Sequence, residues 1–372
     1  MTERETVCRL ALGEVQGLGN VKIRSLIAAL GSAAAVFDNT ADLRSICHNL
    51  PPEMPARLSD PALLNRAEAE VEWASKHGVD IIIDTDARYP SRLRECEDAP
   101  LLIFAKGNVE LNPLRAVSIV GTRHATAYGR ALCHEFVSAL AGLCPGVLVV
   151  SGLAYGIDIE AHRAALDAGL PTVAVLAHGL DRLYPAVHRQ TADRMMSDGG
   201  LLTEYRTGTN PDRQNFVCRN RIVAGLTDAT IVVESAVRGG ALITASLAMD
   251  YGRDCFAFPG RVGDEYSAGC NRFISDNRAG LIVSAEDFVK KMMWDNDITP
   301  GAARNVQRNL FVELTPDEQR VVDVLRDKGD MQLNDLVLAT AMPVNMLSTI
   351  MFGLEMSGVV RVMAGNVYQL LP

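Results

Sequence analysis

The sequence predicts an α/β protein whose middle two hundred residues form a doubly wound, mostly parallel sheet covered by helices. Three observations predict it. Five short runs, RAVSIVG (115–121), VLVVSG (147–152), TVAVLA (172–177), ATIVVES (229–235) and DCFAFPG (254–260), are β-branched or apolar at nearly every position. Strands buried on both faces carry such runs, since neither side alternates with water. Most of the runs are separated by stretches of helical composition, the pattern of a sheet with helical crossovers. Glycines and polar residues gather where the runs end, at the edge where such sheets hold ligands.

The elements on either side follow from periodicity and punctuation. Residues 5–46 read as short helices around a Gly17-Leu18-Gly19 turn. With Lys22 and Arg24 behind it, that turn is either a tight helical corner, which the neighbouring Glu14 favours, or a pair of helix ends offering N–H groups to a phosphate. Residues 61–78 form a periodic helix ending at Gly78, and 79–83 a short strand that leads, through a loop, to LLIFAKG. These pieces make a helical module over 1–90 ahead of the main domain at 91–294. DNDITPGAARNVQRNL (295–310) is a linker. Thr315-Pro316-Asp317-Glu318 then offers a cap, a first-turn proline and a glutamate three residues on from the cap. Helices near 316–327, 332–339 and 343–356, followed by strands near 359–363 and 367–371, give 311–372 the order of a winged helix-turn-helix.

Composition excludes several classes. With 48% hydrophobic and 22% charged residues, the chain is ordinary for a globular protein, and no apolar run is long enough to span a bilayer. The first residues carry Glu3 and Glu5 and no apolar stretch, so a cytoplasmic protein without membrane attachment is expected. Eight cysteines lack the short spacings of a zinc site, the closest pair being Cys133 and Cys144, so reduced thiols and no metal are expected. The net charge is −9, and no third of the chain is basic: 9 basic and 13 acidic residues lie in 1–90, 20 and 22 in 91–290, 7 and 10 in 291–372. Contact with nucleic acid therefore requires a local patch. Arg213, Arg219 and Arg221 supply one, with no acidic residue between them.

The motifs at the strand ends point to a bound phosphate. Gly121-Thr122-Arg123 precedes a helix, with Arg123 where a dinucleotide site would place bare backbone, so that a guanidinium joins the helix N-terminus. Gly152 and Gly156 in SGLAYGID allow close approach to a ligand, and Asp158 is placed to cap the helix that carries His162 and Arg163. Phe216-Val217-Cys218-Arg219-Asn220-Arg221 combines an aromatic platform with a phosphate clamp. Arg238-Gly239-Gly240 forms another anion-accepting turn, and Pro259-Gly260 with Ser267-Ala268-Gly269-Cys270-Asn271 closes the same face. No nucleophile–base pair, metal set or carboxylate pair accompanies these loops.

In order along the chain, GTR, SGLAYGID, EAHRAAL, AVLAHGLDRLYP, LLTEY, RNRIVAGL, IVVES, RGGALITA and FAFPG closely resemble the bacterial DNA-processing protein A (DprA/Smf) family. The resemblance covers about residues 100–290. It implies a Rossmann-like domain that binds single-stranded DNA, flanked by an N-terminal SAM-like or helix-hairpin-helix-like module and a C-terminal winged helix. It further implies a non-enzymatic, cofactor-free protein that protects incoming DNA and helps load the RecA recombinase in natural transformation, acting as a homodimer. Carried onto this chain, the DNA site comprises Gly121, Arg123, Gly152, Phe216, Arg219, Asn220, Arg221, Arg238, Gly239 and Gly240. Two departures affect loop shape: Val217 follows Phe216 where the family often has proline, and Ser267-Ala268-Gly269-Cys270-Asn271 replaces a common SGTN segment.

Two other readings compete. A nucleotide-using enzyme on the same sheet lacks GxGxxG and a catalytic pair. An interaction module would be favoured if the loop arginines were consumed by internal ion pairs. The expected recognition helix, Pro343 to Gly358, contains no lysine or arginine, so the winged helix is expected to contact protein and add little to DNA affinity.

Overall fold

Burial on both faces places the strands. In the computed structural model, which describes residues 3–40, 43, 50–108, 110–297, 314–357, 359–363 and 367–371, the five apolar runs form strands of one sheet. They are β3 (Ala116–Val120), β4 (Leu148–Ser151), β5 (Thr172–Val175), β7 (Ala229–Val232) and β8 (Asp254–Ala257), after β1 (Asp80–Ile83) and β2 (Leu102–Gly107). Every residue of β3, β4, β5 and β7 is buried. Alternate side chains serve opposite faces. Val117 and Ile119 join one core with Ala229 and Ile231, whereas Ala116 and Val120 join another with Val232.

Three strands of the sheet escape the sequence reading: β2, left there without an assignment, β6 (Gly199–Thr203) and β9 (Gly280–Leu281). A glycine pair, Gly199-Gly200, opens β6. In the sheet it permits close packing, because a Cβ on Gly199 would strike the carbonyl of Thr172. The nine strands run in the order β1-β2-β6-β5-β4-β3-β7-β8-β9, parallel from β6 to β9 and antiparallel at the β1–β2 and β2–β6 pairs. Within it, β5-β4-β3-β7-β8-β9 is the doubly wound order, and its direction of winding reverses between β3 and β7. Ligands settle at that point, outside the carboxyl ends.

Residues 1–298 cluster as one compact unit, and β1, inside the helical module of the sequence reading, is an edge strand of the main sheet. Leu12, Ile23 and Leu26 of the N-terminal helices share a core with Ile83, Leu102 and Phe104 of β1 and β2. Buried Arg9 reinforces the junction, pairing with Glu5 at 2.9 Å and with Asp84 just past β1. The Gly17–Gly19 turn is a corner: Arg24 donates to the Ala99 carbonyl at 3.0 Å and pairs with Asp84, so its cation faces the protein.

Residues 299–372 cluster as a second unit. Its first helix, Pro316–Lys328, opens with the expected capping box, the Thr315 hydroxyl accepting from Glu318 N–H and the Glu318 carboxylate accepting from Thr315 N–H. The short strand β10 (Met331–Gln332) and helices Leu333–Thr340 and Val344–Met356 follow, then β11 (Val360–Met363) and β12 (Val367–Leu370), the three strands pairing in the order β10-β12-β11. Val321, Leu325, Leu336, Leu347, Met351 and Leu354 form its core. Of the expected linker, residues 298–310 lie outside the described residues.

Candidate functional site

A cleft of about 830 Å³ opens over the carboxyl ends of β3, β4 and β7. Its floor is built by mutual bonding of the loops. Thr122 N–H donates to the Glu234 carbonyl at 2.7 Å, and Ile157 N–H donates to the Thr122 carbonyl at 3.2 Å. Glu234, buried at the end of β7, accepts from the Thr126 N–H at 2.9 Å and from its hydroxyl at 2.5 Å. Thr126 in turn caps helix Ala127–Leu143. Gly156 has φ +78°, and a Cβ there would strike the Thr122 carbonyl, so only glycine lets the two loops lie together. Gly121 and Gly152 line the floor.

The walls carry aromatic rings and cations. The segment Phe216–Arg221, expected as a loop, lies inside helix Arg213–Gly225. Its i, i+3 and i, i+4 neighbours share one face, so Arg213, Phe216, Val217, Asn220 and Val223 line the cleft while Cys218 and Arg221 do not. The Arg123 guanidinium lies 4.9 Å from the centre of the Phe216 ring. Opposite, His124 stacks on Tyr266 with ring centres 6.1 Å apart. Arg238 and the start of helix Gly240–Asp250, capped by Gly239, complete the rim, where unpaired N–H groups of the first turn favour an anion.

The arginines of the sequence reading separate into three kinds. Arg123, Arg213 and Arg238 are exposed, and among the described residues none has an acidic partner within ion-pair distance. Arg219 lines the cleft but is 4% exposed, its guanidinium donating to the Gly152 carbonyl at 2.8 Å and to that of Val175. It braces β4 and β5 from within. Burial pulls its pKa down, opposed by the charge of Asp158. Arg221, expected among the site residues, is outside the cleft lining and is bound to Glu204 in a largely buried ion pair, so the structure does not bring it together with the others. A helix of 3.6 residues per turn sends Arg219 and Arg221 to different faces, which adjacency in sequence conceals.

Asp158 is the second residue of helix Ile157–Asp167, not its cap; that position belongs to Gly156. Its carboxyl is buried and accepts from the Ala154 N–H at 3.4 Å, and burial raises its pKa. His162 is fully buried with Nδ1 2.7 Å from the Thr172 hydroxyl, and burial depresses its pKa to about 3. It is a neutral structural imidazole beneath the cleft. Sequence reasoning missed Tyr266 and His124 in the cleft wall; neither stands in a motif, and they meet only across the fold. Among the described residues no group of three or more His, Cys, Asp and Glu is placed to hold a metal ion.

Fold and site together define a Rossmann-like α/β domain with a cleft at its strand ends, followed by a winged helix. The family model described as DNA recombination-mediator protein A matches residues 80–293, and that described as the DprA winged helix domain matches 312–366. The chain therefore belongs to the DNA recombination-mediator protein A family, the DprA/Smf proteins. It is 42% identical to DNA processing protein DprA of Streptococcus pneumoniae over 54% of this chain and 70% of that one. The X-ray structure of DNA processing protein A from Streptococcus pneumoniae superposes with a TM-score of 0.61 at 31% identity, over 78% of this chain and 98% of that one. A structure of DNA processing protein A from Helicobacter pylori, described by its single-stranded DNA binding mode, gives 0.53 at 27% identity, over 58% and 96%.

Proposed function

We propose that the cleft binds single-stranded DNA through its phosphates and bases, without chemistry. One observation carries the reading: Arg123, Arg213 and Arg238 stand exposed around Phe216 with no acidic partner among the described residues. Surface arginines of this chain are elsewhere commonly paired, as Arg182 is with Asp181 and Arg194 with Asp167. Three unpaired cations around one aromatic suit phosphates threaded past unstacked bases. The single-stranded DNA binding of the Helicobacter pylori relative supports the same reading. Side by side at equal salt, the chain should bind an oligothymidylate more tightly than a blunt duplex of the same length; equal affinities would overturn the proposal.

The family description as a recombination mediator supports a further reading, that the protein protects incoming strands in the cytoplasm and delivers them to RecA. Co-purification of the cognate recombinase with the DNA-bound protein tests it. A two-fold homodimer is proposed on family grounds and on the prevalence of such symmetry. Light scattering at micromolar concentration checks it, a monomeric mass counting against it.

A further inference from the structure

We infer that the DNA path continues beyond the cleft, along a ridge of rings formed by Tyr184 and Tyr155 and flanked by Arg189; this rests on the single-stranded DNA reading of the cleft. The ridge follows the carboxyl ends of β4, which the cleft also borders, and of β5, its next neighbour in the sheet. Tyr155 follows β4 and Tyr184 follows β5. The Tyr184 ring lies 6.0 Å from that of Phe216, tilted by 59°, so the two rings do not cover one another. Tyr184 thereby keeps exposed ring surface for a base of its own. The Tyr155 ring meets His188 edge-on at 5.2 Å. Tyr155 is 47% exposed, Tyr184 45% and neighbouring Val187 70%, an apolar strip that nothing in this unit covers among the described residues.

The strip is rigidly mounted, which a stacking platform requires. Buried His178 accepts the Tyr184 N–H on Nε2 at 3.1 Å. His188, also buried, has Nδ1 2.8 Å from the Leu153 carbonyl, and its N–H donates to the Pro185 carbonyl at 3.0 Å. The two loops that present the tyrosines are thereby fastened to each other. Arg189 follows directly, is exposed, and among the described residues has no acidic partner within ion-pair distance. Exposed rings, with an unpaired arginine next in sequence to the His188 that packs on Tyr155, offer the same residue types as Phe216 with Arg123. Bases stack on any ring face, and the cation meets the intervening phosphate.

The test uses the full chain and two oligothymidylates, one of about 5 nucleotides that the cleft alone holds and one of about 20. Replacing both Tyr155→Ala and Tyr184→Ala should weaken the long strand roughly tenfold or more and leave the short one within about twofold. The paired Tyr155→Phe and Tyr184→Phe variant should bind like the wild type, because the rings and not the hydroxyls act. Arg189→Ala should lower the magnitude of the log–log salt slope by about 0.7 for the long strand alone. An effect of the alanine pair that is equal at both lengths, or absent at both, overturns the ridge while leaving the cleft. A wild-type chain that shows no preference for single strands over duplex overturns the cleft reading, and the ridge falls with it.

Discussion

Two parts of this chain have shapes that meet DNA in other proteins, and their cations stand in opposite conditions. Around the cleft, Arg123, Arg213 and Arg238 are exposed and free of acidic partners among the described residues. In the winged helix, the helix that would enter a groove, Val344–Met356, has no lysine or arginine and exposes Val344, Phe352 and Met356 at 51%, 64% and 74%. Arg361, the cation nearest its hairpin in sequence, donates to the Gln369 side chain at 2.8 Å. A fold provides the scaffold, and uncommitted charge at the right place decides whether nucleic acid binds. We propose that the winged helix meets protein, its exposed apolar side chains replacing the usual phosphate and base contacts.

The largest effect that sharpens this contrast is expected inside the cleft, at its committed arginine. Arg219→Ala removes the donors to Gly152 and Val175 and the cation that most offsets the burial of Asp158. Stability in urea should fall by about 3 kcal/mol or more, the scale for stranding one member of a buried charged set. A fall of less than about 1 kcal/mol would show that Arg219 is not a brace. The free arginines should behave differently. The Arg123→Ala/Arg213→Ala double variant should keep its urea midpoint yet lose single-stranded DNA affinity on the order of a hundredfold, with charge-assisted hydrogen bonds at about 1.5–3 kcal/mol each. Its salt slope should shrink by about 1.4, some 0.7 for each phosphate that is no longer neutralised. An unchanged slope in the folded variant would mean that these side chains do not reach phosphate.

Buried His162 adds a pH dependence to the stability of this unit. Folded His162 takes a proton only near pH 3, whereas the unfolded chain takes it near 6.5. The contribution of His162 to stability is therefore complete above 6.5 and is lost as pH falls from there toward 3, at up to about 1.4 kcal/mol per pH unit. His162→Gln should be less stable at pH 7.5 but should show a shallower decline of its urea midpoint between pH 7 and 5. Parallel declines would place the titration on another group. The smallest effect is expected from the second unit: truncation after about residue 295 should leave single-stranded DNA affinity within roughly threefold, about 0.65 kcal/mol. A hundredfold loss in a truncated protein that keeps its fold and assembly would reverse the contrast between the two regions.

What the sequence determined by itself is what local chemistry dictates. Doubly buried strands announce β3, β4, β5, β7 and β8 by composition alone, and Thr315 with Glu318 announces the start of the helix at Pro316. Glycine-bearing strand ends likewise located the cleft, because the doubly wound order places its ligand there. The tertiary structure alone decided which cations are available. Arg219 and Arg221 stand two residues apart on one helix, yet one is buried against the carbonyls of Gly152 and Val175 and the other is paired with Glu204. Neither partner set lies near them in sequence. It also decided which rings meet, since Tyr184 approaches Phe216 and Tyr266 approaches His124 only across loops. Helical and strand periods are set by neighbours along the chain, whereas the fate of a charge depends on desolvation and on partners that the fold alone brings within reach.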